Sequence, residues 1–167
     1  MDEKICNVLF LCTGNSARSV ISEALLNRLG GGRFRAFSAG SQPKGEVHPD
    51  TISLLREKGY ATSDFRSKCW DEFADDDAPE MDIVITVCDN AASESCPLWP
   101  NSSVIAHWSI PDPAVVTASP SEAEAAFRES YKTIEGCIKA FIQTASDAST
   151  AESLRRRLNA LDPNRTL

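Results

Sequence analysis

The residues best suited to chemistry lie together near the start of the chain, in the segment Cys12-Thr13-Gly14-Asn15-Ser16-Ala17-Arg18-Ser19. Backbone N–H groups of a short loop can converge on a tetrahedral oxyanion, and the Arg18 guanidinium can bind two of its oxygens at once. The same positive field favours the thiolate form of Cys12, the nucleophilic form, and Ser19 can hydrogen-bond that sulfur. We therefore predict an oxyanion site above a nucleophilic thiol. Its expected oxyanion-binding residues are Thr13, Gly14, Asn15, Ser16, Ala17, Arg18 and Ser19.

The segments on either side of this loop predict the elements that position it. Residues 5–11 form an apolar run typical of a buried strand, and residues 19–29 have the spacing of a helix. The loop then lies at a strand-to-helix turn, where the N-terminus of the helix adds positive potential. Gly14 and Asn15 are residue types that adopt left-handed backbone conformations easily, as a tight loop requires.

The same patterns continue along the chain and predict the fold. Further apolar runs typical of strands occur at 33–38, 82–88 and 103–108, and helical patterns occur at 49–58 and about 121–144. Strands that alternate with helices indicate an α/β domain, here an open four-stranded parallel sheet flanked by helices. We expect a single domain over residues 1–146, followed by a C-terminal accessory helix or tail over residues 147–167.

Residues with reactive side chains fall where the ligands of such a sheet bind. Ligands of open parallel sheets bind beyond the carboxyl ends of the strands. Cys12, Cys88 and Asp112 all fall at or just past the ends of predicted strands. This placement supports a single site that contains all three residues.

Composition limits the classes of partner. The chain of 167 residues has a net charge of −7, which argues against nucleic acid and against an anionic membrane surface as partners. No apolar run approaches the ~20 residues of a membrane span, and the N-terminus leads straight into a strand without the pattern of a secretory signal. The six cysteines have spacings unlike a disulfide framework, so we expect cytoplasmic free thiols, some of them redox-active.

The loop and a second motif resemble those of one enzyme family. The pattern of Cys12, five residues, Arg18 and Ser19 resembles the anion loop of the low-molecular-weight protein tyrosine phosphatases, which also lies near the N-terminus. Ile110-Pro111-Asp112-Pro113-Ala114 resembles the later Asp-Pro loop of that family. The resemblance implies the family's fold and the following roles: Cys12 as nucleophile, Arg18 as oxyanion clamp, Asp112 as general acid, and Asn15 and Ser19 as residues that order the loop.

Several details resemble the arsenate reductases of this family more than its phosphatases. The Asp-Pro pair is followed by Ala114-Val115-Val116, without the aromatic residues that flank a phosphotyrosine ring in the phosphatases. Residues 107–114 resemble the reductase form of this loop, and residues 66–73 resemble a second reductase segment. The resemblance implies reduction of arsenate to arsenite through a Cys12 thiol–arsenate adduct and a second thiol.

The resemblance also implies which thiols complete the reduction. Cys88 ends the strand that is expected beside the first strand, and we expect it to attack the Cys12 sulfur. Cys96 would then attack Cys88 and move the disulfide outward, where thioredoxin could reduce it. Cys88 and Cys96 are eight residues apart, one more than in the thioredoxin-coupled members, so glutathione or mycothiol with glutaredoxin is an alternative reductant.

Two other functions remain open. A low-molecular-weight protein tyrosine phosphatase would use Cys12, Arg18 and Asp112 to hydrolyse phosphotyrosine or small phosphate esters through a phosphocysteine. A non-enzymatic oxyanion-binding protein would not need Cys12, Ser19 and Asp112 together, so their joint presence favours catalysis. Residual phosphatase activity is compatible with a reductase, because both reactions begin with attack of the thiolate on the oxyanion.

No metal and no tightly bound cofactor is expected. Neither of the two histidines has a cysteine at the spacing of a zinc site. Some related reductases bind potassium behind the anion loop, and Asn15, Glu23 and Ser38 match that site. Its remaining carboxylate position falls on Lys68, whose ammonium group would take the place of the cation.

Overall fold

A parallel sheet carries the anion loop at its carboxyl edge. The computed structural model describes residues 3–93 and 104–165. Within these residues the strands are β1 (Cys6–Cys12), β2 (Phe34–Gly40), β3 (Ile83–Thr86) and β4 (Val104–His107). They form one four-stranded sheet in the order β2-β1-β3-β4, and each neighbouring pair is parallel. The predicted four-stranded parallel sheet is therefore confirmed.

Helices connect the strands and cover the sheet. In the described part of the chain they are α1 (Arg18–Leu29), α2 (Pro49–Glu57), α3 (Asp89–Ser93), α4 (Pro120–Asp147) and α5 (Ala151–Asn159). Two 3-10 helices span Trp70–Phe73 and Pro113–Val115. The helices expected at 19–29, 49–58 and about 121–144 are present as α1, α2 and α4. The short α3 was not predicted, because five residues carry no amphipathic period.

The start of α4 illustrates how the sequence specifies a helix boundary. Ser119 precedes the helix in an extended conformation, and its hydroxyl accepts a hydrogen bond from the backbone N–H of Glu122 at 3.2 Å. Pro120 occupies the first helical turn, where the N–H group that proline lacks would have no helical partner. Together these residues end the Asp112 loop and start the long helix α4, which packs mainly against α1.

Alternate residues of β1 point into two separate cores. Val8 and Phe10 belong to the larger cluster, which α1 and α4 complete, whereas Leu9 and Leu11 belong to a smaller cluster on the opposite face. All four side chains have an exposed fraction of 0%. A strand buried on both faces has no polar alternation, which explains the continuous apolar run in the sequence.

The C-terminal helix α5 packs against β4, the strand at one edge of the sheet. Thr150 caps the helix, since its hydroxyl accepts a hydrogen bond from the backbone N–H of Ser153 at 3.1 Å. Leu158 is completely buried in the larger core cluster. Across residues 3–93 and 104–165, no helix combines the length and the apolar character needed to cross a membrane.

Candidate active site

The candidate site lies at the carboxyl ends of β1 and β3, as the topology predicts. Cys12 is the last residue of β1, and α1 begins at Arg18, so the anion loop occupies the predicted strand-to-helix turn. The Cys12 side chain is 3% exposed and therefore lies at the base of the loop. The sheet thus presents a buried thiol at the N-terminal end of a helix, a position that favours binding of an anion.

A chain of hydrogen bonds orders the loop around Cys12. Asn15 is fully buried and has a φ of 44°, the left-handed conformation expected of it, whereas Gly14, for which the same was expected, has no positive φ. Its Oδ1 accepts the backbone N–H of Lys68 at 2.9 Å, and its Nδ2 donates to Ser19 Oγ at 2.8 Å. Ser19 Oγ lies 2.8 Å from Cys12 Sγ. Because Asn15 already donates to Ser19 Oγ, the serine hydroxyl is free to donate its own hydrogen to the sulfur.

The ionisation of Cys12 is set by opposing effects. Burial raises the pKa of the Cys12 thiol above its ordinary value and is the largest effect. The hydrogen bonds to Ser19 lower the pKa, the nearby Cys88 thiol raises it, and the charge of Arg18 lowers it. The contacts expected to favour the thiolate are present, but the sequence did not indicate that burial would outweigh them.

Arg18 joins the anion loop to the Asp-Pro loop. Its Nη1 donates to the carbonyl oxygen of Ile110 at 2.9 Å, and its Nη2 lies 3.5 Å from Asp112 Oδ2. Asp112 Oδ1 accepts the backbone N–H of Ala114 at 3.0 Å, which fixes the carboxyl group at the start of the 3-10 helix. The Asp112 side chain is 35% exposed, so the carboxyl group borders the solvent-facing side of the site. An oxyanion held by Arg18 would therefore lie within reach of both a thiol and a carboxyl group.

Cys88 is a second thiol beside the anion loop. It is 2% exposed, and its Sγ lies 3.6 Å from the hydroxyl of Thr13, the first residue after Cys12. The Ala91 backbone N–H donates to the same sulfur at 3.3 Å, so α3 holds this thiol. Cys88 is also close enough to affect the pKa of Cys12. Cys96, the expected third thiol, lies outside the described residues.

Gly40 is packed directly against the anion loop, a contact that the sequence did not predict. It ends β2 opposite Cys12, and a Cβ atom added there would lie 3.0 Å from both the Cys12 carbonyl oxygen and the Asn15 nitrogen, and closer still to the Thr13 carbonyl oxygen. Any side chain at this position would displace the loop backbone. The only signal in the sequence was a glycine at the end of a predicted apolar strand, which is too common to identify the contact.

The residues behind the loop do not fit a potassium ion. Ser38 Oγ donates to Glu23 Oε2 at 3.3 Å, so these two residues are adjacent, as the resemblance implies. However, Asn15 Oδ1 already accepts a backbone hydrogen bond. The buried Lys68 donates its Nζ to the carbonyl oxygen of Arg66 at 3.3 Å and is close enough for its charge to act on Glu23.

Burial and charge act in opposite directions on the pKa values of Glu23 and Lys68. Burial raises the pKa of Glu23 and lowers that of Lys68, and in each case the charge of the other residue opposes the effect of burial. Each side chain therefore stabilises the charged form of the other. Among the described residues, no group of three histidine, cysteine or carboxylate side chains is placed to hold a metal ion.

The chain is similar to known proteins along most of its length. Residues 7–156 match the family described as low molecular weight phosphotyrosine protein phosphatase. The arsenate reductase of Halalkalibacterium halodurans is 33% identical over 144 residues, which cover 86% of this chain and 99% of that protein.

Two solved structures extend the comparison. The thioredoxin-dependent arsenate reductase of Corynebacterium glutamicum has a TM-score of 0.59 at 26% identity. The match covers 87% of this chain and 65% of the relative, which is less than two thirds of the relative's length. An arsenate reductase in the phosphate binding state has a TM-score of 0.61 at 27% identity, over 81% of this chain and 98% of that chain.

Proposed function

This chain belongs to the low molecular weight phosphotyrosine protein phosphatase family, and we propose that it is an arsenate reductase, which converts arsenate to arsenite. The observation that carries the proposal is the second buried thiol, Cys88, beside the anion loop. Hydrolysis of a phosphate ester needs one nucleophile and an acid, whereas a reduction needs a second thiol to supply electrons. The similarity to arsenate reductases supports the same conclusion.

The first step joins Cys12 to the oxyanion. The Cys12 thiolate attacks arsenic(V), a sulfur–arsenic bond forms, and one arsenic–oxygen bond breaks. Asp112 protonates the departing oxygen so that it leaves as water, while Arg18 and the loop N–H groups stabilise the remaining negative charge. Arg18 lies between the thiol loop and the Asp112 carboxyl group, an arrangement that supports this assignment of roles.

The second step reduces the arsenic. The Cys88 thiolate attacks the Cys12 sulfur, and a disulfide bond forms between them. The sulfur–arsenic bond breaks and its electron pair remains on arsenic, which leaves as arsenic(III), so two thiols have supplied two electrons. Proton transfer to the departing group completes arsenite.

An external reductant then restores the thiols. We propose that Cys96 attacks Cys88 to form a second disulfide, which thioredoxin reduces. The thioredoxin-dependent relative supports this route. Glutathione or mycothiol with glutaredoxin is the alternative and would bypass Cys96. We expect no tightly bound cofactor and no required metal, since Lys68 supplies the positive charge near Glu23. We expect a cytoplasmic location, where thiols stay reduced.

A phosphatase activity shares the machinery of the first step. Family membership favours it as the second candidate, because Cys12, Arg18 and Asp112 could equally form and hydrolyse a phosphocysteine. One feature argues against a phosphotyrosine substrate. Val115, two residues after Pro113, is 72% exposed, in the segment where the phosphatases place aromatic side chains. The branched aliphatic side chain offers no ring to stack on the substrate.

The experiment is arsenite formation from arsenate by the purified protein with three donors: thioredoxin with its reductase and NADPH, glutathione with glutaredoxin, and mycothiol with glutaredoxin. Turnover with any donor supports the reductase. Cys88→Ser should abolish thioredoxin-coupled turnover and spare hydrolysis of p-nitrophenyl phosphate. Cys6→Ser is the matched control, because Cys6 is a partly buried free thiol at the opposite end of β1 from Cys12. Ester hydrolysis with no arsenite from any donor would establish the phosphatase instead.

A further inference from the structure

The C-terminal tail, which the structure describes over residues 147–165, holds β4, the strand that leads into the Asp112 loop. The family match ends at residue 156, inside α5, so the end of the tail lies beyond the shared fold. Three successive residues of the chain donate hydrogen bonds to the tail. They are His107 N to Asn159 Oδ1 at 2.9 Å, Trp108 Nε1 to Leu158 O at 2.8 Å, and Ser109 N to Asp162 Oδ1 at 2.8 Å.

Within the described residues β4 is an edge strand of the sheet, and these contacts lie along its outer side. An edge strand presents backbone N–H groups with no neighbouring strand to accept them. The Asn159 side chain accepts the N–H of His107, the last residue of β4, and the Asp162 side chain accepts the N–H of Ser109, two residues beyond the strand. Trp108 and Leu158 have an exposed fraction of 0%, so this connection is also part of the core. The exit of β4 is therefore fixed by the tail.

The anchored residues are continuous with Asp112. Ser109 is followed by Ile110 and Pro111 and then by Asp112. Ile110 is 3% exposed, and its carbonyl oxygen accepts a hydrogen bond from Arg18. The N-terminal side of the Asp112 loop thus has two attachments, the tail at Ser109 and Arg18 at Ile110. A shift at Ser109 would move the Asp112 carboxyl group relative to Arg18.

The anchored residues also contact the segment that carries Cys88. His107 Nε2 lies 3.0 Å from Asp89 Oδ1, and hydrogen bonds from Ser109 and His107 lower the pKa of the Asp89 carboxyl. Asp89 directly follows Cys88. Residues 107–109 therefore contact the tail on one side. On the other side they connect to the segment that carries the second thiol and to the loop that carries the general acid.

We propose that the C-terminal tail is a positioning element for Asp112, with Asn159 and Asp162 acting through residues 107–109. The hydrogen bonds of Leu158, Asn159 and Asp162 reach residues 107–109, so the proposed action on Asp112 is indirect. The tail fixes the origin of the Asp112 loop, so that the carboxyl group stays beside Arg18. The inference rests on the proposed role of Asp112 as general acid, and a misplacement of about 1 Å in such a group can cost about 10²-fold in rate.

The test uses the full chain with Asn159→Ala and Asp162→Ala combined. We expect kcat for arsenate reduction to fall between about tenfold and about 10²-fold. KM for arsenate should change less than about twofold, because the two side chains hydrogen-bond His107 and Ser109 and not the anion loop. Asn159→Asp with Asp162→Asn keeps an acceptor oxygen at both positions and should restore kcat. Arg156→Ala, an exposed change on the same helix, is the matched control.

A double-mutant cycle separates positioning from a general loss of stability. If the tail acts through Asp112, the alanine pair should slow the wild type but add nothing to Asp112→Asn. An equal slowing in both backgrounds, or an unchanged kcat in the wild-type background, would overturn the inference. If Asp112→Asn itself has no effect, the proposed role of Asp112 fails instead. Thermal unfolding checks that each variant folds. If the Asn159→Ala, Asp162→Ala double variant does not fold, Asp162→Ala alone is used in the same double-mutant cycle with Asp112→Asn.

Discussion

Replacing Ser19 by alanine removes the side chain that hydrogen-bonds the Cys12 sulfur. The two atoms, Ser19 Oγ and Cys12 Sγ, lie 2.8 Å apart, and Asn15 orients the hydroxyl by donating to it at 2.8 Å. Because burial already raises the pKa of Cys12, its thiolate depends on the donors that remain. The substitution should therefore raise that pKa further, and it also removes the acceptor of the buried Asn15 Nδ2.

The size of the effect follows from the strength of this hydrogen bond. A hydrogen bond to a charged group contributes about 1.5–3 kcal/mol, and 1.36 kcal/mol changes an equilibrium tenfold, so the thiolate-to-thiol ratio should fall about 10- to 150-fold. The loss of reactivity should be greatest at low pH, where the thiol dominates in both proteins. It should disappear at a pH above the pKa of both, where each is fully thiolate.

The assay measures alkylation of Cys12 by iodoacetamide from acidic to alkaline pH, followed by mass spectrometry of the peptide that carries it. Arsenite formation is measured at each pH in parallel. Ser22→Ala is the matched control, because Ser22 is equally buried on α1 but donates to the Arg18 carbonyl oxygen at 2.8 Å. Identical profiles for the wild type and Ser19→Ala would refute the reasoning. So would a loss of the same size at every pH, which would indicate altered structure instead of altered ionisation.

The remaining predictions concern the acid, the second thiol, the cation and the tail. Asp112→Asn should lower kcat about 10²- to 10⁴-fold in steady-state assays of arsenate reduction, and a loss below about tenfold would exclude a general acid. Cys88→Ser should still form the Cys12 adduct in a single turnover but release no arsenite with thioredoxin; unchanged arsenite release would favour a small-thiol route. Exchange of sodium for potassium at constant ionic strength should leave activity and Tm unchanged, because the charge of the Lys68 ammonium already acts on Glu23. Clear stimulation by potassium would contradict this. Leu158→Ala should lower the free energy of unfolding by about 2–5 kcal/mol in urea titrations, since its side chain is completely buried; a loss below about 1 kcal/mol would mean that the tail packs loosely.

The local pattern of the sequence was sufficient for the four parallel strands, for the helices α1, α2 and α4, and for the place of the anion loop between β1 and α1. The strands were apparent because a parallel sheet covered on both faces requires continuous apolar runs, as in Val8 to Leu11. Cys12 and Arg18 belong to one uninterrupted turn between a strand and a helix, so their proximity follows from chain connectivity. The Asp112 loop was identified by its resemblance to a family and by its place after a strand.

Only the tertiary structure determined the contacts between distant segments. Gly40, Lys68 and Asp162 carry no local signal of their role, because what matters is the backbone or side chain that folding brings against them. The net effect on the pKa of Cys12 was also beyond the sequence. The residues that favour the thiolate are its near neighbours in the chain, whereas the burial that opposes them is produced by the whole fold.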